Sequence, residues 1–287
     1  MVYSTISEVT AFIKSEIGLL YPEQEADAII YQIFNHTLKF SRADVYLKSD
    51  TNVPKSVLSE IEKMVIALKK FTPLQYIFGE TCFYGLNFKV NQHVLIPRPE
   101  TEELVEWILQ EHNQDIRKVI DLGTGSGCIP VALAKNRPNW TISAVDISYE
   151  ALNIARTNAN KNDVAVTFFQ EDMLSFSPGL TEKRFDIIIS NPPYISANQK
   201  SEMLPNVLEY EPHIALFAPG EDALFFYRKI AALGKECLKP NGAVYVEMNE
   251  AYPNETKEIF TSYGFEVVLK KDIHNKTRML KAFKPLS

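Results

Sequence analysis

The chain has 287 residues, 46% of them apolar, and 36 acidic against 30 basic side chains leave a net charge of −6. That length allows two domains and that apolar share supports packed cores, while the acidic balance excludes the overall positive field of a duplex-binding protein. Cys82, Cys128 and Cys237 never approach a C-x-x-C spacing, which argues against a zinc site or a disulfide framework and for reduced thiols in a cytoplasmic protein.

At the N-terminus, MVYSTISEVTAFIKSEIGLL carries Glu8, Lys14 and Glu16 inside its apolar pattern, so neither a signal peptide nor a membrane span is expected. From residue 4 to about 70 the apolar side chains recur at helical spacing. The stripes are Val9, Phe12, Ile13 and Ile17; Ala26, Ile29, Ile30, Ile33 and Phe34; and Val57, Ile61, Met64, Val65 and Leu68. They predict a small helical domain over residues 1–77, with Pro22 and Pro54 near the starts of its second and last helices. Residues 80–96, ETCFYGLNFKVNQHVLI, turn β-rich and aromatic and break at Gly85-Leu86-Asn87, which predicts a β-hairpin linker over residues 78–97.

Residues 98–287 alternate between the two periods. A helix from Glu100 to about Glu111 precedes the strand Lys118–Asp121, and a glycine turn at Gly123–Gly127 opens the next helix. Then come a strand over Thr141–Asp146, a helix over Tyr149–Asn160, strands over Val164–Phe169 and Phe185–Ile189, a helix over Ala223–Leu238, and a strand over Ala243–Glu247. Strands alternating with crossover helices predict an α/β fold with a doubly wound, mostly parallel sheet, whose ligands bind at the carboxyl ends of the strands.

The run Asp121-Leu122-Gly123-Thr124-Gly125-Ser126-Gly127 sits where the first of these strands turns into a helix, and glycines there let a ligand approach the backbone. Its G-x-G-x-G spacing lacks the dinucleotide pattern G-x-G-x-x-G. Asp146 ends the second strand, where a carboxylate can accept both hydroxyls of a ribose. Asp172 stands where an adenine amino group could be met, with Met173 as apolar cover; capping a following helix accounts for Asp172 equally well.

At the end of the fourth strand stands Ser190-Asn191-Pro192-Pro193-Tyr194-Ile195. An amide or aromatic-amine nitrogen is a poor nucleophile because its lone pair is delocalised, so methyl transfer to it needs acceptors for its two N–H groups. The side-chain oxygen of Asn191 and the carbonyl of Pro192 can hold them and orient the lone pair, on a backbone that proline locks. Tyr194 can pack its face on a planar substrate group. Together with the glycine turn and Asp146, this run points to S-adenosyl-L-methionine rather than a nicotinamide as the cofactor.

With PLQYIFGETCFYGLNFKVNQHVLIPRPETEELVEW, DLGTGSGCIPVALA and SNPPYI in this order, the chain resembles the HemK-type release factor glutamine methyltransferases from about Pro73 onward. The resemblance implies a helical domain, a hairpin linker and a Rossmann-like class I methyltransferase domain. It also implies S-adenosyl-L-methionine as methyl donor and the glutamine of a Gly-Gly-Gln motif in peptide chain release factors as target. Carried over by position, it puts Gly123, Thr124, Gly125, Ser126 and Gly127 along the methionine and ribose portions of the cofactor, Asp146 at the ribose and Met173 at the adenine. Asn191 would touch cofactor and substrate, Pro192, Pro193 and Tyr194 would complete the glutamine pocket, and Pro97-Arg98-Pro99-Glu100-Thr101 would border it, with Arg98 and Glu100 as substrate contacts. Met173 departs from the aromatic residue of some relatives, and His213 stands where a basic residue is frequent. A monomer is expected, with no membrane and no nucleic acid as partner.

Two other substrates share this pocket logic. One is a flipped adenine or guanine amino group, against which stands the lack of a large basic recognition region. The other is a glutamine of a ribosomal protein. An inactive nucleotide-binding module is disfavoured by the intact Asn191 and Asp146. His36, His93, His112, His213 and His274 show no ligand spacing, and no metal is expected.

Overall fold

A computed structural model of the chain describes residues 4–112, 116–175 and 184–284. It divides into two units, Met1–Gly79 with Pro205–Tyr210, and Glu80–Leu204 with Glu211–Ser287.

The first unit is helical: α1 (Ile6–Ile17), α2 (Glu23–Leu38), α3 (Arg42–Leu47), α4 (Lys55–Leu68) and α5 (Leu74–Phe78). Its core consists largely of the stripes seen in the sequence, with Val9, Ile13, Ile17, Ala26, Ile33 and Phe34 wholly buried. A capping box starts α1, where Thr5 Oγ1 accepts from the Glu8 amide and the Glu8 carboxylate accepts from the Thr5 amide. Pro22 and Pro54 hold the N-cap positions of α2 and α4. Periodicity did not announce α3, because its six residues bury only Val45 and its stability is local, from the Ser41 and Asp44 capping box. Nor did it place Pro205–Tyr210 here, a short helix whose Tyr210 hydroxyl donates to the Lys70 carbonyl at 2.5 Å.

The second unit opens with the hairpin of β1 (Glu80–Phe83) and β2 (Leu86–Lys89). Its turn residues, Tyr84 at φ 49° and Gly85 at φ 72°, take the left-handed pair of values that matches strand twist. Glu102 Oε1 accepts the Tyr84 amide at 2.9 Å and so helps hold a bulky residue in that conformation. Next come α6 (Pro99–Glu111), β3 (Lys118–Leu122), α7 (Cys128–Asn136), β4 (Thr141–Asp146), α8 (Tyr149–Lys161), β5 (Thr167–Gln170) and β6 (Phe185–Ser190). Beyond the helix Pro205–Tyr210, α9 in chain order, follow α10 (His213–Leu216), α11 (Phe225–Cys237), β7 (Leu238–Glu247), α12 (Pro253–Ser262), β8 (Glu266–Lys271) and β9 (Thr277–Phe283).

Among the described residues the strands form a seven-stranded sheet in the order β5-β4-β3-β6-β7-β9-β8. β3 to β7 pair in parallel, and β9 lies antiparallel between β7 and β8. This is the expected doubly wound, mostly parallel class. Strand order reverses between β3 and β6, which opens a crevice at their carboxyl ends. Four strands differ from the sequence expectation. β5 starts at Thr167, because Val164 and Val166 only pack against the core before pairing begins at Ser143↔Thr167. β7 starts at Leu238, before the apolar run. β8 and β9 were not foreseen, because lysines at 270, 271 and 281 interrupt their alternation at the edge of the sheet.

One buried side chain ties the hairpin to the glycine turn. Asn158, on α8, accepts the Lys89 amide at 2.6 Å and donates to the Lys89 and Ser126 carbonyls at 3.0 and 2.8 Å. It is wholly buried, so each of these bonds satisfies a group that water cannot reach.

Candidate active site

Gly123, Gly125 and Gly127 sit at φ values of 74°, 53° and 77°, a region that side-chain-bearing residues avoid. The turn is clamped to the end of β4, whose Val145 carbonyl accepts from the Gly123 and Thr124 amides at 3.0 and 2.9 Å. A Cβ at Gly123 would come within 3.1 Å of the Met173 methyl, and one at Gly127 within 2.9 Å of the Ala155 Cβ.

A cavity of about 310 Å³ opens at the carboxyl ends of the strands. Of the residues picked out in the sequence, its lining brings together Gly123, Thr124, Gly125, Ser126, Asp146, Asp172, Met173, Asn191 and Pro193, with Pro97, Arg98 and Thr101 from the segment expected to border the pocket. Gly127, Glu100, Pro192 and Tyr194 are not in that lining. Gly127 is instead the N-cap of α7, Glu100 lies in the first turn of α6, Pro192 is buried, and Tyr194 packs against the apolar cluster under β7.

Asp146 is partly committed to the turn itself. Its Oδ2 accepts from the Gly125 amide at 2.8 Å and its Oδ1 from the Ser148 amide at 2.9 Å, which leaves further lone pairs on both oxygens. Burial raises its pKa, against the pull of those amides. Asp172 uses Oδ1 to accept the Leu174 amide at 2.9 Å in a local turn, so the capping geometry exists without a following helix among the described residues.

Two groups stand out by what they lack. Asp121 is buried, yet among the described residues neither carboxylate oxygen forms a hydrogen bond of good geometry, and the buried Thr124 hydroxyl, though close to it, is likewise without one. Burial pushes the Asp121 pKa up to about 7, with the nearby Thr124 hydroxyl pulling the other way and the Asp146 charge adding to the rise. Orphaned buried polar atoms are costly and rare. Asp121 is outside the cavity lining but two residues before the glycine turn that forms it; an unmatched carboxylate there, with Asp146 in the lining at the neighbouring strand end, suits a ligand that carries a positive charge and vicinal hydroxyls.

Asn191 is held from behind. Its Nδ2 donates to Thr101 Oγ1 at 3.2 Å, and Thr101 Oγ1 donates to Glu247 Oε2 at 2.6 Å. Tyr194 donates its hydroxyl to Glu247 Oε1 at 3.1 Å, and its carbonyl accepts from Asn249 Nδ2 at 3.2 Å. Burial raises the Glu247 pKa, while the Thr101 and Tyr194 hydroxyls draw it back; burial likewise raises that of Tyr194. The opposite wall is tied by Glu211, whose carboxylate accepts from Arg98 Nη2 at 2.6 Å and from the Ile96 amide at 3.3 Å. Sequence reasoning named no role for Asp121, Glu211 or Glu247. A signal existed for two of them, since Asp121 and Glu247 are acids at the ends of apolar strands, the same cue that singled out Asp146.

A model of the PrmC N-terminal domain matches residues 15–79, and one of the methyltransferase small domain matches residues 100–224. The release factor glutamine methyltransferase of Flavobacterium psychrophilum is 43% identical over 277 residues, covering 95% of this chain and 96% of its own length. That of Bacteroides thetaiotaomicron is 43% identical over 278 residues, covering 96% and 99%. Among solved structures, a methyltransferase from Pyrococcus furiosus superposes with a TM-score of 0.54 at 19% identity, over 81% of this chain and 100% of that one, a likeness of fold. With both domain models matched in order and relatives this similar along nearly the whole length, the chain belongs to the release factor glutamine methyltransferase family.

Proposed function

We propose that this enzyme methylates the side-chain amide nitrogen of the glutamine in the Gly-Gly-Gln motif of peptide chain release factors, with S-adenosyl-L-methionine as methyl donor. The observation that carries the reading is the Asn191 amide, which lines the cavity and spends its nitrogen on Thr101, so that its oxygen remains available to accept. The cofactor supplies a methyl group on a sulfonium. The glycine turn admits it closely, Asp121 meets its ammonium group, and Asp146 receives its ribose hydroxyls. Asn191 Oδ1 takes one N–H group of the target and turns the nitrogen lone pair toward the methyl carbon; the Pro192 carbonyl, next in the chain but outside the cavity lining, would take the second once the substrate opens the pocket to it. Family membership supports the substrate, because the relatives are named for release factors.

The test is incubation of the enzyme with labelled S-adenosylmethionine and purified release factors, beside variants with the motif glutamine changed, ribosomal proteins, DNA and RNA. Label on the intact motif alone is expected. Label on a ribosomal protein or nucleic acid instead would replace this reading.

Asp146→Ala is expected to weaken cofactor binding by about 1.5–3 kcal/mol, roughly ten- to hundredfold in Kd, because buried hydroxyls lose a charged acceptor. Titration calorimetry measures it, and an unchanged Kd would assign Asp146 to the turn alone.

The helical unit serves recognition of the protein partner, a role motivated by the location of every cavity residue in the other unit. A chain lacking residues 1–77 that still melts cooperatively is expected to keep its cofactor affinity and lose methylation of the intact release factor. Full activity on that substrate would remove the recognition role. The working form we propose is a monomer in the cytoplasm.

A further inference from the structure

We propose that Thr101, anchored on Glu247, is a positioning residue that determines which end of the Asn191 amide faces the cavity. The inference rests on the reading that Asn191 Oδ1 accepts an N–H of the target amide.

The two ends of an asparagine amide have nearly the same shape, so only hydrogen bonding distinguishes them. A threonine hydroxyl has one hydrogen, and an ionised carboxylate can only accept. With Glu247 ionised, the 2.6 Å contact from Thr101 Oγ1 to Glu247 Oε2 spends that hydrogen. Toward Asn191, Thr101 then offers lone pairs only, and the amide must bring its nitrogen, as it does at 3.2 Å. Turned over, the amide would set oxygen against oxygen at the back and aim N–H donors at the N–H groups of the substrate.

The anchor is well placed for this work. Thr101 and Glu247 are both only 2% exposed, so water does not compete for the relay. They come from different elements, Thr101 from α6 and Glu247 from the end of β7, and they converge on the residue that follows β6. The second oxygen of Glu247 takes the Tyr194 hydroxyl at 3.1 Å, so one carboxylate steadies both ends of the Asn-Pro-Pro-Tyr run.

The test is kinetic. Thr101→Val keeps the shape and removes the hydroxyl; it is expected to lower kcat for a release factor about 10- to 100-fold, with cofactor Kd and cooperative melting close to the parent's. Thr101→Ser restores the hydroxyl and is expected to recover most of that loss. Should the valine variant fail to fold, Thr101→Ala takes its place against the same serine rescue. The decisive comparison is the double variant: in an Asn191→Ala background, Thr101→Val is expected to change kcat no further, because its effect passes through the missing amide. A parental kcat for Thr101→Val, a serine variant as slow as the valine one, or an equal additional loss in the Asn191→Ala background would each overturn the proposal. Failure of the underlying reading looks different, since Asn191→Ala would itself stay active or the parent would leave the glutamine unlabelled.

Discussion

Asn191→Ala is expected to yield a protein that melts cooperatively, keeps at least part of its cofactor affinity, and transfers methyl groups at least about a hundredfold more slowly. The residue precedes Pro192, which already restricts its backbone, so alanine should shift stability by only about 1 kcal/mol. Its side chain lines the cavity beside Thr101 and donates to the Thr101 hydroxyl. Removing it takes away an acceptor for the target N–H and the bias that makes the amide nitrogen more nucleophilic. Loss of a comparable positioned polar group costs about 10²–10³ in turnover, or ~2.7–4 kcal/mol of barrier. Steady-state and single-turnover rates on a purified release factor measure it. A rate within about tenfold of the parent's, worth only ~1.4 kcal/mol, would sink the assignment of Asn191 to the reacting nitrogen.

Asp121→Asn is expected to act in opposite directions on stability and on cofactor binding. In the folded chain the Asp121 pKa is pushed up to about 7, from 3.8 for a free aspartate. Between those values the folded state holds a proton that the unfolded state has released, so this group's contribution to stability falls as pH rises from about 4 to about 7 and is flat above. At pH 8 the buried charge therefore destabilises the cofactor-free protein, by a few kcal/mol at most on the order-of-magnitude arithmetic of ~1.4 kcal/mol per pH unit. The neutral asparagine removes that cost, and a raised Tm at pH 8 is the expected result. Cofactor binding runs the other way. If the ionised carboxylate receives the ammonium group of the cofactor, the parent's affinity should fall about tenfold from pH 8 to pH 6, as protonation competes. The asparagine variant should bind more weakly and lose most of that pH dependence. Asp146, whose pKa burial also raises, adds a linkage of the same sign. Calorimetry at several pH values and thermal melts separate the two effects. A parental Kd for Asp121→Asn, with an unchanged pH profile, would leave the orphaned carboxylate without this role.

The features legible in the chain alone are those written within a few consecutive residues. The stripes of α1, α2 and α4 are spaced by the helical turn, and burial of those same side chains made the helical core. The alternation of β3 to β7 with helices dictated a parallel sheet, because parallel strands need crossovers. The glycine turn and the Asn-Pro-Pro-Tyr run were legible because each encodes its own backbone, left-handed φ values in one and proline-locked angles in the other. Which side chains meet was set by the packing of distant segments. Thr101 and Asn191 are 90 residues apart in sequence and Thr101 and Glu247 are 146 apart, and no local period encodes either pairing. The Arg98–Glu211 tie spans 113 residues and joins the two loops that wall the cavity. The bond of the Tyr194 hydroxyl to Glu247 was not legible in the sequence, because it is the order β6-β7 that sets the end of one strand beside the start of the run that follows the other. Asp121 shows the same division from the other side. Its place at the end of a strand was plain in the sequence, but its burial with both oxygens unbonded depends on how β4 and β6 close around β3, a matter of packing across the sheet that no single stretch of chain contains.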